Sequence, residues 1–356
     1  MDTRCKLYHS RYPGNLRLWL LLLMLAALVL PLLPYAVATN EHTPAELSGT
    51  VRNPGADYWR DVRQRDAAVA GTTQVRGVDA GILINIAGEE WRRFRIEQLV
   101  PWSALALGGM LGVLVLYYLI RGKIRIEAGR SGQLLRRYTT LEMVVHWILA
   151  SSFVIMALTG LILLYGRWAL IPLLGAEGFS VTAAVCKTLH NYVGLLFSVT
   201  VPVAFVLYFR DSLFNIKVDL KWFMSAGGYL GGREPSAEKV NAGQKAWYWV
   251  AMLGGGALIA SGLVLDFPNF QQGREFLQDA HVIHTLAAIG VTAFFLIHLY
   301  LATIGVEGAF ESMTTGHVDT NWARQHHDLW YRELQSGAGQ TQQPDAGEVL
   351  APPADN

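Results

Sequence analysis

Four histidines inside hydrophobic runs hold the chemistry of this chain: His146 in LEMVVHWILA, His190 in KTLHNYVGLL, and His284 and His298 together in HVIHTLAAIGVTAFFLIHLYLATIG. Ionisable side chains are costly in lipid, and those kept there mark function. His284 and His298 stand 14 residues apart, close to four helical turns, so they leave one helix face about 21 Å apart at about 1.5 Å per residue. A bilayer's apolar core is about 30 Å thick, which puts these two imidazoles near opposite membrane faces. Two further histidines on neighbouring helices complete two stacked sites. Imidazole pairs ligate haem iron from both sides, and an iron so filled passes single electrons and does not activate oxygen. The only cysteines are Cys5 and Cys186, so the chain has no disulfide framework, zinc pattern or CxxCH attachment site, and any haem is held non-covalently.

The elements that must position these residues are hydrophobic. Of 356 residues 52% are hydrophobic and 16% charged, with mean hydropathy +0.27, whereas a soluble domain carries about 25% charge. The net charge of +1 and the lack of a basic stripe give no sign of nucleic-acid binding. Five segments, near 100–121, 142–166, 188–209, 245–267 and 281–305, approach the roughly 20 apolar residues a spanning helix needs. The capping box Thr139-x-x-Glu142 starts the second. Residues 1–38, with Arg4, Lys6, Arg11 and Arg17 before the run Leu18–Leu33 and the Ala36-Val37-Ala38 site, read as a signal peptide or an N-terminal membrane anchor. Residues 39–99 form a polar external segment, and from about 337 the tail is expected to be disordered.

Positive charge sets the orientation. Arg121, Lys123, Arg125, Arg130, Arg136 and Arg137 fill one loop, and Arg210, Lys217, Lys221, Arg233, Lys239 and Lys245 the other, whereas the opposite loops hold few. Both basic loops and the C-terminus are therefore expected inside. Depth then fixes the partners: His190 with His284 near the outer face, His146 with His298 near the inner face. Gly160, 14 residues after His146, reaches the outer depth. Gly194, Ala287, Ala288 and Gly290 would also let a flat macrocycle approach, or would serve bare helix packing. His281 competes with His284, but its 17-residue offset from His298 turns the face by roughly 100° short of five turns. His317, His326 and His327 fall in the cytoplasmic tail. His326 and His327, on an amphipathic interfacial helix spanning 321–335, are expected to be solvated or lipid-facing.

KVNAGQKAWYWV (239–250) precedes the fourth span. Asn241, the Gly243 backbone and Gln244 lie at a helix N-terminus, where free N–H groups favour developing negative charge. They could hydrogen-bond a quinone beside the inner haem; the plainer alternative is helix capping by Asn241, with Lys245 simply marking the inner side.

The order HW…H…NAGQK…H-x13-H…WA-x2-HH-x2-WYRE resembles the cytochrome b (gamma) subunit of membrane-bound respiratory formate dehydrogenases, over about residues 136–335. NPGADYWRDVR and INIAGEEWRRFR look like longer members with an N-terminal span and external segment. The resemblance implies an all-α membrane protein, with a four-helix dihaem domain at 136–310, one preceding transmembrane helix and a cytoplasmic tail at 311–356. It implies two haems b on His146, His190, His284 and His298, and a quinone pocket at Asn241, Gly243 and His298. It also implies a catalytic molybdenum or tungsten subunit and an iron–sulfur subunit as partners, in a bacterial inner membrane with residues 39–99 periplasmic. This chain would pass electrons to quinone without oxidising formate itself. Rival readings are the cytochrome b subunit of a hydrogenase or thiosulfate reductase and, in a different class, a haem-free membrane anchor or transporter.

Overall fold

The computed structural model describes residues 86–231, 234–268 and 272–337. The N-terminal segment 1–38, the part of the external segment before residue 86 and the tail beyond 337 lie outside the described residues. Among those described, five helices are long and apolar enough to cross a membrane: Glu90–Arg121, Thr140–Ala169, Ile171–Tyr208, Ala242–Asp266 and Arg274–Gly305. The chain is an all-α membrane protein.

The first span starts earlier than its hydropathy suggests. Helix α1 (Ile86–Arg93) runs through a π-helical turn (Phe94–Leu99) into α2 (Val100–Arg121). Pro101 sits in the first turn of α2, where a missing N–H costs least. Helix α3 (Thr140–Ala169) begins at the expected capping box: Thr139 Oγ1 accepts from the Glu142 backbone N–H, and Glu142 Oε2 accepts from that of Thr139 at 2.7 Å. Helix α4 (Ile171–Tyr208) is broken near its start by Gly175, whose φ of +71° only glycine adopts without strain. After the short α5 (Ile216–Met224) come α6 (Ala242–Asp266) and α7 (Arg274–Tyr300), which ends in a π-helical turn, Leu301–Gly305.

Helix α3 packs along α4, α6 along α7, and α4 meets α6, while α2 leans on α7. Val145, Phe153, Phe197, Val201, Tyr248, Met252 and Val291 are buried together between the two hairpins. Outward-facing Leu105, Leu119, Ile120, Leu158, Leu253 and Leu286 are exposed, as lipid-facing side chains must be.

One end of the bundle carries a folded cap. Strand β1 (Leu134–Arg136) pairs antiparallel with β2 (His317–Asp319), setting Leu135 opposite Val318, and Ile124 bridges to Val306. Between them lies α8 (Glu311–Thr314), and beyond β2 follow α9 (Thr320–His326) and α10 (Asp328–Gln335). The single interfacial helix expected over 321–335 is therefore two helices, broken at His327 (φ −144°, ψ 53°). Its apolar stripe faces protein: Trp322, Trp330 and Leu334 are buried with Ile126, Leu135 and Val318. Amphipathicity was legible in the tail, but the surface it needed came from a loop almost 200 residues earlier.

Candidate functional site

The structure brings the four span histidines together two by two. His190 on α4 faces His284 on α7 with ring centres 6.1 Å apart and planes at 70°. His146 on α3 faces His298 on α7 at 6.4 Å and 61°. Two imidazoles bonding one metal from opposite sides, each through a nitrogen about 2 Å away, have ring centres roughly 6 Å apart. Both pairs fit that separation. Helix α7 contributes to both, yet it makes no close-packed seam with α3 or α4 among the described residues. Helices that present rings to each other without touching backbones leave room for a flat group between them.

The outer pair is held by two matching devices. His190 Nδ1 lies 2.9 Å from Thr159 Oγ1, whose hydroxyl donates to the Ile155 carbonyl at 2.7 Å. His284 Nδ1 lies 3.0 Å from Ser261 Oγ, whose hydroxyl donates to the Ala257 carbonyl at 2.6 Å. With its own proton committed, each hydroxyl accepts from Nδ1–H, which leaves the Nε2 lone pair free for a metal. A bond to the far nitrogen that fixes tautomer and ring orientation is the usual support of a ligating histidine. The next residue is glycine in both cases. A Cβ at Gly160 would stand 3.2 Å from His190 Cε1, and one at Gly262 3.3 Å from His284 Cε1. Gly160 thus makes room for a ligand's ring. Gly194 instead meets Met156, and Gly290 has open space around it. Thr159, Ser261 and Gly262 escaped the sequence reading; the signal was a hydroxyl–glycine pair recurring in two different spans.

The inner pair is set in aromatics. His298 stacks on Trp247 of α6, ring centres 5.1 Å apart and planes at 16°, and Trp147 stands edge-on to His146 at 5.4 Å. His146 Nδ1 is buried without a hydrogen-bond partner. His281, the rival for the outer site, sits edge-on against Trp91 of α1 at 5.5 Å, apart from the pair.

Around the N-terminus of α6 the residues are more committed than their polarity suggests. Asn241 and Gln244 form a reciprocal capping box, the side-chain oxygen of each accepting from the other's backbone N–H at 2.9 and 3.1 Å. Gln244 Oε1 also accepts from Arg137 Nη2 at 3.1 Å. A Cβ on Gly243 would stand 2.6 Å from the Trp222 ring, so this glycine is required for the indole's approach. Lys245 is not on the surface. It is fully buried, 2.9 Å from Asp219 and 2.7 Å from Glu238.

His326 and His327 are not solvated or lipid-facing, a correction to the expectation from sequence. His327 is 1% exposed, with Nδ1 2.6 Å from the Glu238 carbonyl and Nε2 3.1 Å from Arg137 Nη2. Donation to Glu238 fixes its tautomer, so Nε2 accepts from arginine. Burial and the neighbouring guanidinium push its pKa well below the ordinary histidine value. His326 Nδ1 lies 2.6 Å from Glu234 Oε2, and His317 stays in β2 beside the Thr315 carbonyl.

The stretch that carries these residues has known relatives. The chain is 29% identical over 203 residues to the formate dehydrogenase cytochrome b556(fdo) subunit of Escherichia coli K12, covering 56% of this chain and 92% of the relative. It is 27% identical over 212 residues to the nitrate-inducible formate dehydrogenase cytochrome b556(Fdn) subunit of the same strain, covering 58% and 94%. It is 26% identical over 215 residues to the formate dehydrogenase cytochrome b556 subunit of Haemophilus influenzae Rd, covering 59% and 87%. Residues 137–316, just over half of the chain and the stretch that holds all four paired histidines, match the prokaryotic cytochrome b561 family, and to that family of membrane haem proteins the chain belongs.

Proposed function

We propose that this chain is the membrane cytochrome b subunit of a formate dehydrogenase in a bacterial inner membrane, passing electrons through two haems b to quinone at the cytoplasmic face. The observation that carries the reading is the presence of two facing histidine pairs, at 6.1 and 6.4 Å, on one shared helix. Bound between these rings, haem b supplies reversible one-electron chemistry. His190 and His284 hold the outer group with their Nε2 atoms, kept in the right tautomer by Thr159 and Ser261. His146 and His298 hold the inner one, the latter backed by Trp247. The three formate dehydrogenase relatives support formate as the electron source, through catalytic and iron–sulfur subunits this chain would join. They favour it over the hydrogenase and thiosulfate reductase alternatives.

At the inner end, Asn241 remains the candidate for quinone. Its amide oxygen serves the helix cap, and its NH2 would donate to a quinone carbonyl. Gly243 would offer backbone N–H, and Gln244 would act by holding the cap in place. His298 stands on Trp247, one turn along α6 from that end. Purified with its partners, the complex should contain two haems b per chain by pyridine haemochrome, and formate should reduce both. His190→Ala or His284→Ala should remove the outer haem and His146→Ala or His298→Ala the inner. A haem-free wild-type chain would mean an anchor or transporter instead.

A further inference from the structure

The two histidine pairs are not supported alike. Both outer rings have an oxygen beside Nδ1: Thr159 Oγ1 at 2.9 Å from His190 and Ser261 Oγ at 3.0 Å from His284. Each hydroxyl gives its own proton to a helix carbonyl, of Ile155 or Ala257, so toward the ring it accepts. At the inner pair, His146 Nδ1 is enclosed by protein and makes no hydrogen bond to the described residues. Trp147 stands edge-on to that ring, and His298 lies against Trp247 with planes at 16°. One pair is backed by hydroxyl acceptors and the other is walled by indole.

All four rings are imidazoles, so a difference between the two sites must come from what stands behind them. Both contrasts act on a metal held between the rings, and in one direction. An acceptor on Nδ1–H draws that proton outward and leaves more electron density on Nε2. The imidazole becomes a stronger donor, which favours the oxidised metal. A ring whose N–H has no acceptor donates less. Oxidised iron also carries one more positive charge than reduced iron, and apolar walls disfavour the more charged state. The outer support therefore lowers the potential, and the inner surroundings raise it.

We propose that Thr159 and Ser261 hold the outer haem at a lower potential than the inner one, so that the fall driving electrons inward is set by two hydroxyls on α3 and α6. The inference rests on the two-haem reading above. In the step concerned, one electron leaves the outer iron, which is oxidised, and reaches the inner iron, which is reduced. Electrons from formate refill the first centre, and quinone empties the second. No proton accompanies the transfer, since each Nδ1–H stays on its ring. Thr159 and Ser261 touch neither iron nor quinone; they are positioning residues that act through His190 and His284.

The test uses the full-length chain purified in its complex, with haem counted first by pyridine haemochrome. One haem or none per wild-type chain would sink the two-haem reading itself, a distinguishable failure. With two present, spectroelectrochemical titration of the wild type should resolve two midpoints. Thr159→Val, similar in shape but without the acceptor, should raise the lower midpoint and leave the upper one in place. Ser261→Ala should raise the same midpoint, which keeps the measurement available if the other variant fails to assemble. Thr159→Ser retains a hydroxyl and should return the lower midpoint close to its wild-type value, whereas a purely structural role would leave both potentials unmoved in all three variants. A single shared midpoint in the wild type would overturn the assignment. So would movement of the upper midpoint alone, a downward shift, or no shift in variants that keep both haems.

Discussion

At the scale of single residues, the outer site depends on two hydroxyls as well as two imidazoles. Thr159→Val removes the acceptor for His190 Nδ1–H while nearly conserving volume, and Ser261→Ala does the same for His284. Loss of such support lowers metal-site affinity by about 10–100-fold. The expected result is a partly depleted outer haem with a shifted potential, beside an intact inner haem, read from low-temperature spectra of the two. Gly160→Leu should act more severely, because its side chain would displace the His190 ring 3.2 Å away. The histidine pairing was legible in the sequence because depth and a 14-residue interval are properties of one helix. The hydroxyls were not, since Thr159 and His190 come from different spans and only their crossing makes them neighbours. The capping box at Asn241 was visible but ambiguous, for the same polar atoms suit a helix end and a ligand.

Among elements, the cap is where reading the sequence went furthest astray. The doublet His326-His327 looked like a wet helix surface; the chain breaks there and buries the second ring against Arg137. Lys245, read from sequence only as a positive charge on the inner side, is also buried in an ion pair with Asp219. Neither burial was legible because the partners, Arg137 and Asp219, come from distant parts of the chain. His327 gives the cap a pH dependence. Its folded pKa is depressed, so the unfolded chain binds more protons, and the stability it contributes is full above the ordinary value of 6.5 and falls away as pH drops below it. Thermal unfolding of the wild type should therefore weaken between about pH 6.5 and 5, and His327→Gln should flatten that decline. At the head of α6, Asn241→Ala should cost about 0.5–2 kcal/mol through loss of the cap. If it also slows formate-to-quinone turnover while both haems stay reducible by formate, the residue serves quinone too; unchanged turnover and inhibitor sensitivity would leave it a cap only. Gly243→Leu would collide with Trp222, so it should destabilise the head of α6 whether or not quinone binds there.

For the whole molecule, both basic loops and the tail gather in one folded cap, as they must if they share a side of the membrane. With that side cytoplasmic, a fluorescent protein fused after the tail should be bright and an alkaline phosphatase fusion there inactive. The opposite result would exchange the inner and outer haems. The family match begins at residue 137, after the first span. Helix α2 is the least enclosed span and rests mainly on α7. Its deletion should leave the haem content of the remaining four spans unchanged, measured as haem per chain.

Under the two-haem proposal, α7, which holds one histidine of each pair, becomes a ruler between two redox centres. The gap is counted in residues, and electron tunnelling falls off exponentially with distance. One residue inserted between His284 and His298 would rotate the second ring by about 100° and lose a haem. Seven residues, about two turns, would keep both rings facing their partners and lengthen the gap by about 10 Å. Such a chain would carry both cofactors and still be a poor wire.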